Sequence, residues 1–394
     1  MLLFGLLLFK IHPGDLPYNP DSTYGLFLVM VSFQIITMGK TPFGDLRRSW
    51  ALIIMGMFTA LLGMTTCFIP NYFTQVVRTV AGIVLFAGGI FLFMQLCLSE
   101  KKARMWIKIA GILRQLTLAC ALVYVLLIIL GIITLFNGLT TGPQTAMLLM
   151  FSGISFFYLS WCIWQVTRTY GPEKPGDSAS SLRSPERSYL KGRYYRLFQE
   201  AALALTPAIL ILLGVLMTFL GLLLFPVSLG LLPFSPDGQL GLLLTIMAIQ
   251  MMALGDTPIG HYTRSWFMII IGMVFATLGI VSCIVPGLLT GMLRIFIGLL
   301  NIVGGVVFLT RQFLPKLRGI RTPPEAPIVR KLAAIQIVLN AVVIAFGITM
   351  LLPGLVSGLV VAGLLVINGL LLFILAALVQ KVTSMQASGE PQTI

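Results

Sequence analysis

Charge is what this sequence has least of, and negative charge above all. Only 12 of 394 residues are Asp or Glu, and the four charged types together make up 10%, where a water-soluble globule carries about a quarter. With 58% hydrophobic residues and a mean hydropathy of +1.01, the chain has too little polar surface to face water on all sides, so lipid must cover the remainder. Histidine is nearly absent. His12 and His261 fall in connections expected on opposite sides of a membrane, which leaves a bis-histidine haem without ligands. The five cysteines, Cys67, Cys97, Cys120, Cys162 and Cys283, form no C-x-x-C pair and sit in or at the ends of apolar runs, so neither a metal site nor a disulfide framework follows. No cofactor is expected. No predicted span contains Asp or Glu, which weighs against a proton-coupled carrier. The want of a nucleophile, base and acid cluster weighs equally against an enzyme, and no catalytic residue is assigned.

Long apolar runs are what the sequence has in abundance. Residues 50–69, 73–98 and 266–285 approach the roughly 20 residues that cross a hydrocarbon core. The net charge of +14 would suggest a nucleic-acid partner in a soluble protein, but the position of the basic residues excludes one. Numbering predicted helices from the N-terminus, the even connections, the central linker and the C-terminus hold 23 of the 26 Lys and Arg, and the odd connections only Lys10, Arg78 and Arg294. By the positive-inside rule the even connections and the C-terminus face the cytoplasm. The expected setting is a bacterial cytoplasmic membrane, with anionic headgroups as partners of the cytoplasmic loops.

Sliding the sequence along itself reveals a period of 216 residues without a gap: 12 of the 24 positions from Gln34 are identical to those from Gln250. The register continues through Cys67 and Cys283, Pro70 and Pro286, Arg78 and Arg294, Gly82 and Gly298, Gly131 and Gly347, and Gly153 and Gly369. The fold class predicted is therefore an all-α polytopic membrane protein of about twelve transmembrane helices in two repeats of six. An even number of spans per repeat makes the repeats parallel. The expected divisions are residues 1–167, a basic cytoplasmic linker at 168–197, and residues 198–394. The first helix, MLLFGLLLF, reaches only about 13 Å at 1.5 Å per residue, and an upstream extension or a half-span is expected. The polar stretch of residues 10–23 reads as an outer loop.

Within each repeat a finer pattern recurs. Gly56, Gly63 and Pro70, and likewise Gly272, Gly279 and Pro286, put two glycines on one helix face before a proline turn, and Gly214, Gly221 and Pro226 follow the same form. The returning helices carry Gly82 and Gly88, Gly298 and Gly304, and, after Pro353, Gly363 and Gly369. Lipid gives helices no hydrophobic drive to associate, so small residues let backbones approach and gain dispersion contacts. Three glycine-packed hairpins per repeat are expected. A helix of form G-x(6)-G ending in proline, followed by a return helix of form G-x(5)-G, resembles the HdeD-type acid-resistance membrane proteins of bacteria. That resemblance implies a stress-protection role. The present chain departs from it in its duplication, its polar residues 10–23 and its GKTPFGDLRRSW segment.

Three sets of polar residues are candidate sites. The connections MGKTPFGDLRRSW and LGDTPIGHYTRSW resemble the glycine, acid and arginine motif of major facilitator transporters, where such a segment acts as a hinge. Asp45, Arg48, Asp256 and Arg264 would form the hinge or partner loop, although His261 stands where an acidic twin of Asp45 would be; the plainer reading is a structural turn. Arg78 and Arg294 lie one or two turns inside outer helix ends and either snorkel outward or bind a lipid headgroup or other anion. Gln34 and Gln250 either bond between helices or line a polar cavity. Asn301, Asn340 and Asn368 lack polar twins in the first repeat, which argues against a symmetric channel. The first expectation is a non-enzymatic protein, stress-protective or a structural subunit with protein partners in a membrane complex. The second is a secondary transporter of a neutral or amphipathic solute with a cavity between the repeats. The third is a lipid-handling protein.

Overall fold

The computed structural model describes residues 1–37, 50–98, 111–136, 138–170, 205–254, 256–257, 260–261, 266–317, 327–352, 354 and 356–388. Among these residues there are twelve α-helices: α1 (Leu2–Ile11), α2 (Pro20–Thr37), α3 (Trp50–Phe68), α4 (Thr74–Leu98), α5 (Ile112–Leu135), α6 (Gly142–Tyr170), α7 (Leu205–Ser228), α8 (Pro236–Leu254), α9 (Trp266–Ile284), α10 (Thr290–Leu317), α11 (Pro327–Leu351) and α12 (Gly358–Ser388). Seven of them are long and apolar enough to cross a membrane; the shorter apolar segments include Leu2–Ile11, Ile53–Phe68, Pro236–Ile249 and Ile269–Ile284. The fold is helical as expected, with one short extended feature. Between α8 and α9, β1 (Asp256–Thr257) pairs antiparallel with β2 (Gly260–His261), Asp256 opposite His261 and Thr257 opposite Gly260.

One correction concerns the start of α2, which takes in residues 20–23, expected to be loop. Asn19 caps it, its Oδ1 accepting the amide of Ser22 at 3.2 Å. Ser235 caps α8 in the same way, its Oγ accepting the amide of Gly238 at 3.3 Å. A proline in the first helical position, with no amide to lose, and an aspartate in the first turn, where the helix dipole favours negative charge, follow each cap.

The chain divides into two compact units that interleave along the sequence. The first comprises Met1–Leu16, Met38–Ala51 and Arg78–Ala201; the second comprises Pro17–Thr37, Leu52–Val77 and Ala202–Ile394. Helix α2 and most of α3 thus belong with α7–α12.

In the first unit, α1 packs on α6, and α4, α5 and α6 share a core of Leu96, Leu116, Cys120, Val123, Tyr124 and Cys162. In the second, α7 packs on α12, α8 on α9, α10 on α11, and α11 on α12; Leu240, Leu244, Phe275, Leu293 and Ile297 fill the core of α8, α9 and α10. Phe275 and Phe296 meet edge to face with centroids 5.2 Å apart.

The glycines pair different helices from those expected. A side chain at Gly63 would meet the carbonyl of Gly25 at 2.5 Å, so α3 packs on α2, and Gly279 stands against the carbonyl of Gly241 at 2.6 Å, so α9 packs on α8. Gly82 faces Leu135, and Gly298 faces Leu351, so α4 packs on α5 and α10 on α11. Gly5 faces Met150, and Gly221 faces Val366, bringing α1 to α6 and α7 to α12. The close contacts therefore do not run through the proline turns as the spacing suggested. Gly88 and Gly363, assigned to packed faces, have open space around them. Heptad spacing fixes that two glycines share a face, but it carries no information on which neighbour that face meets.

Candidate functional site

The predicted site residues that are described belong to α2, α4, α8, α10 and the β-hairpin. Arg78 is the fifth residue of α4 in the first unit, half-buried, and its Nε has no hydrogen-bond partner among the described residues. Arg294 is the fifth residue of α10 in the second unit and is exposed. The twin arginines thus meet different surroundings. Gln34 is an exposed residue of α2, and Gln250 lies on α8, its side chain outside the described residues. Asp256 belongs to the short β-hairpin, whereas Asp45, Arg48 and Arg264 lie outside the described residues.

A different polar cluster forms in the second unit, from residues the sequence reading passed over. It is built where the first turns of α2 and α8 meet the last turns of α3 and α9. The amide of Asn19 donates to the carbonyl of Ile284 at 3.1 Å, and the amide of Ser235 donates to the carbonyl of Phe68 at 2.9 Å. Positions 19 and 235, and positions 68 and 284, are each 216 apart in the sequence. Ser22 Oγ donates to the carbonyl of Cys67 at 3.3 Å, and Cys67 Sγ donates back to the carbonyl of Ser22 at 3.4 Å. The counterpart of the thiol bond is Cys283 Sγ to the carbonyl of Gly238 at 3.6 Å, and beside it Ser282 Oγ donates to the carbonyl of Asp237 at 3.3 Å. Where the two sets meet, Gly238 lies against the carbonyl of Cys67 and Ser22 Oγ so closely that an added Cβ would overlap the carbonyl.

Two carboxyl groups are enclosed in this cluster, each in the first turn of a helix outside the seven long apolar spans. Asp21 is only 2% exposed and Asp237 8%. Asp21 Oδ2 accepts the amide of Asn71 at 2.6 Å, while its Oδ1 is buried without a partner. Asp237 Oδ1 accepts the hydroxyl of Thr290. Asn71 and Gly287, also 216 apart, both turn the chain with positive φ, 69° and 81°. Asp21 therefore ties the start of α2 to the turn that leaves α3. The signal was legible: Asn-Pro-Asp and Ser-Pro-Asp each place a cap, a first-turn proline and a dipole-matched acid in order.

Chemically the cluster is a lock. The hydroxyls of Ser22 and Ser282 and the thiols of Cys67 and Cys283 are each spent on a backbone carbonyl, and Asp21 Oδ2 and Asp237 Oδ1 on the Asn71 amide and the Thr290 hydroxyl. Among the described residues no three His, Cys, Asp or Glu side chains come together as a metal ligand set.

The outer surface has the opposite character. On α10, Ile295, Leu299, Val303 and Val306 are all about half exposed, a stripe at helical spacing. Val76, Ile83, Phe91 and Met94 on α4 are exposed in the same way. Soluble monomers rarely expose apolar surface on this scale, and lipid is the solvent that suits it. Seven long apolar helices with such surfaces define a helical, multi-pass membrane protein. No protein-family profile, no curated protein and no solved structure matches the chain.

Proposed function

We propose that this chain is a non-enzymatic membrane protein of twelve spans in two parallel six-helix repeats, acting as a stress-protection protein of the HdeD-type resemblance or as a structural subunit of a membrane complex. The supporting observation is the pair of reciprocal backbone bonds, Asn19 to Ile284 and Ser235 to Phe68. One hairpin of each repeat is joined to its counterpart by these main-chain bonds. Helix contacts 216 residues apart support the duplication: Gly82 on Leu135 matches Gly298 on Leu351, and Gly25 on Gly63 matches Gly241 on Gly279. In this reading the basic connections, the linker and the C-terminus lie on the cytoplasmic side of a bacterial inner membrane, and the Asn19–Ile284 region lies at the opposite face. Arg78 and Arg294 reach outer headgroups, and the segments containing Asp45, Arg48, Asp256 and Arg264 form cytoplasmic turns available to partners.

The test is purification in mild detergent with quantitative mass spectrometry of co-purifying protein and lipid, beside solute uptake by proteoliposomes. A stoichiometric protein partner and no uptake are expected. The second reading, a secondary transporter, draws on the enclosed Asp21 and Asp237, since buried acids in membrane proteins mark ion pathways. Uptake by the wild type that Asp21→Asn abolishes would replace the first reading with the second.

A further inference from the structure

The α1–α6 and α7–α12 contacts are one contact made twice. Gly142 faces His12 as Gly358 faces Ser228, Gly5 faces Ala146 and Met150 as Gly221 faces Ala362 and Val366, and Gly153 faces the amide of Leu2 as Gly369 faces that of Thr218. Every residue of the first set is 216 positions from its counterpart in the second. Past Gly153 and Gly369 the two differ. On α12 the contact goes on, because residues 205–217 of α7 precede Thr218; an added Cβ at Gly214 would lie 3.1 Å from both the carbonyl of Gly369 and the ring of Phe373. On α6 it stops, because α1 starts at Leu2. Exposure marks the open stretch: Phe157 is 65% exposed where its counterpart Phe373 is half-buried, and Ser160 is exposed where Ala376 is 1% exposed. The difference is confined to that face. Phe151 and Ile367, Ile154 and Leu370, and Tyr158 and Ile374 are counterparts too, and all six are about half exposed, as suits flanks that meet lipid in both repeats.

We propose that this face of α6 is an interaction surface for one apolar membrane helix of a partner subunit, seated on Gly153, Phe157 and Ser160 in the place that residues 205–217 take on α12. It rests on the reading of the chain as a structural subunit with a protein partner, and it adds where the partner docks and what the docking helix looks like. Residues 153, 157 and 160 share a helix face by spacing, and that face continues the one on which α1 already packs at Gly142, Ala146 and Met150. The surface is therefore an extension of an existing interface. The chemistry of the occupant follows from α7. It runs antiparallel to α6, as α7 runs to α12, and covers about 20 Å at 1.5 Å per residue. Its residue over Gly153 and Phe157 is small, as Gly214 is, because close approach of backbones is what holds helices together in lipid. Its contacting stretch is apolar, like Ala208, Ile209, Leu212 and Leu213 of α7, each at most 3% exposed. A helix suits the place better than an acyl chain, since the Ser160 hydroxyl can donate to a backbone carbonyl of a docked helix and finds no acceptor in hydrocarbon.

The test uses the whole chain with photoreactive benzoylphenylalanine in place of Ser160 or, as the lipid-facing control, Phe151. A synthetic helix of residues 205–217, with lysines at both ends, is the probe. Added to the purified chain in lipid nanodiscs, the probe should be joined by light to position 160 and not to position 151. Gly214→Leu in the probe should weaken that labelling roughly tenfold, the size of one overpacked contact. Equal labelling from both positions, or labelling indifferent to Gly214→Leu, overturns the docking surface. In native membranes, position 160 should label an apolar span of one other protein, with glycine, alanine or serine in the attached segment, and excess probe should displace it. Labelling of lipid alone, or of a second copy of this chain alone, overturns the proposal. If a partner co-purifies in stoichiometric amount and position 160 does not label it, the docking surface is wrong and the subunit reading stands. If no partner co-purifies and solute uptake is seen, both fall.

Discussion

The backbone amide of Asn19 donates to the carbonyl of Ile284 across 265 positions of sequence, at 3.1 Å. Asn19 is at once the cap of α2 and a donor to the last residue of α9, so one residue starts a helix and ties it to the end of another. Ser235 does the same for α8 and Phe68. Enclosed main-chain groups must find partners within the protein, and these bonds therefore help hold the second unit together at the point where α2, α3, α8 and α9 converge.

The caps give the first prediction. Replacing Asn19 or Ser235 by alanine removes a side-chain acceptor for a first-turn amide, which costs about 0.5–2 kcal/mol. Thermal unfolding in detergent should show a lowered midpoint for each variant. Ser235→Asn should restore the wild-type value, because asparagine already fills the same place at position 19.

Glycine contacts give the second. Gly63→Leu and Gly279→Leu push a side chain into the carbonyls of Gly25 and Gly241, and overpacking of this kind costs about 1–3 kcal/mol or more. Gly88→Ala and Gly363→Ala enter open space and should leave the midpoint unchanged or raise it slightly, since alanine is the better helix former by up to about 1 kcal/mol. The contrast within one sequence pattern makes a single melting series decisive: equal losses at Gly63 and Gly88 would contradict the helix pairing described above.

Asp21 gives the third. Asp21→Ala deprives the Asn71 amide of its acceptor inside a closed cluster, a loss of about 1–3 kcal/mol, whereas Asp21→Asn keeps an acceptor oxygen and should lose less. Asn71→Gly should be neutral, because the φ of 69° suits glycine; Asn71→Val should destabilise. Denaturant or thermal unfolding of the four variants checks the order.

A fourth prediction concerns the lipid-facing stripe. Leu299 on α10 is half exposed and, in a membrane, meets acyl chains. Leu299→Asp should raise the cost of inserting that helix by roughly 3 kcal/mol, read as a lower inserted fraction in a translocon insertion assay. Leu299→Ile should be silent.

The membrane class was legible from composition alone, and α3, α4 and α9 were visible as apolar runs, because lipid solvation acts on each segment separately. The start of α2 was legible too, in Asn19, Pro20 and Asp21, but the polarity of residues 10–23 as a whole masked the cap. The glycine faces were half legible: Gly56 and Gly63 share a face by spacing, yet nothing in the spacing says that Gly63 meets Gly25 while Gly88 meets nothing. Among the candidate sites, Arg78 and Arg294 were equivalent in sequence and differ in exposure, since exposure depends on which neighbours arrive. Asp21 and Asp237 went unnoticed because a carboxyl group at a helix start resembles any polar loop residue until a turn from elsewhere closes over it.

By itself the sequence determined the solvent, the helical segments, the 216-residue period and the sites where backbones could come close, all of which follow from local hydropathy and side-chain size. Only the tertiary structure decided which helices take up those contacts, that α2 and most of α3 join α7–α12 in one compact unit, and that Asp21, Asp237, Cys67 and Cys283 become enclosed together. The reason is that partner choice in lipid comes from complementary surfaces and main-chain bonds between segments hundreds of residues apart, and no single segment encodes the shape of the one it will meet.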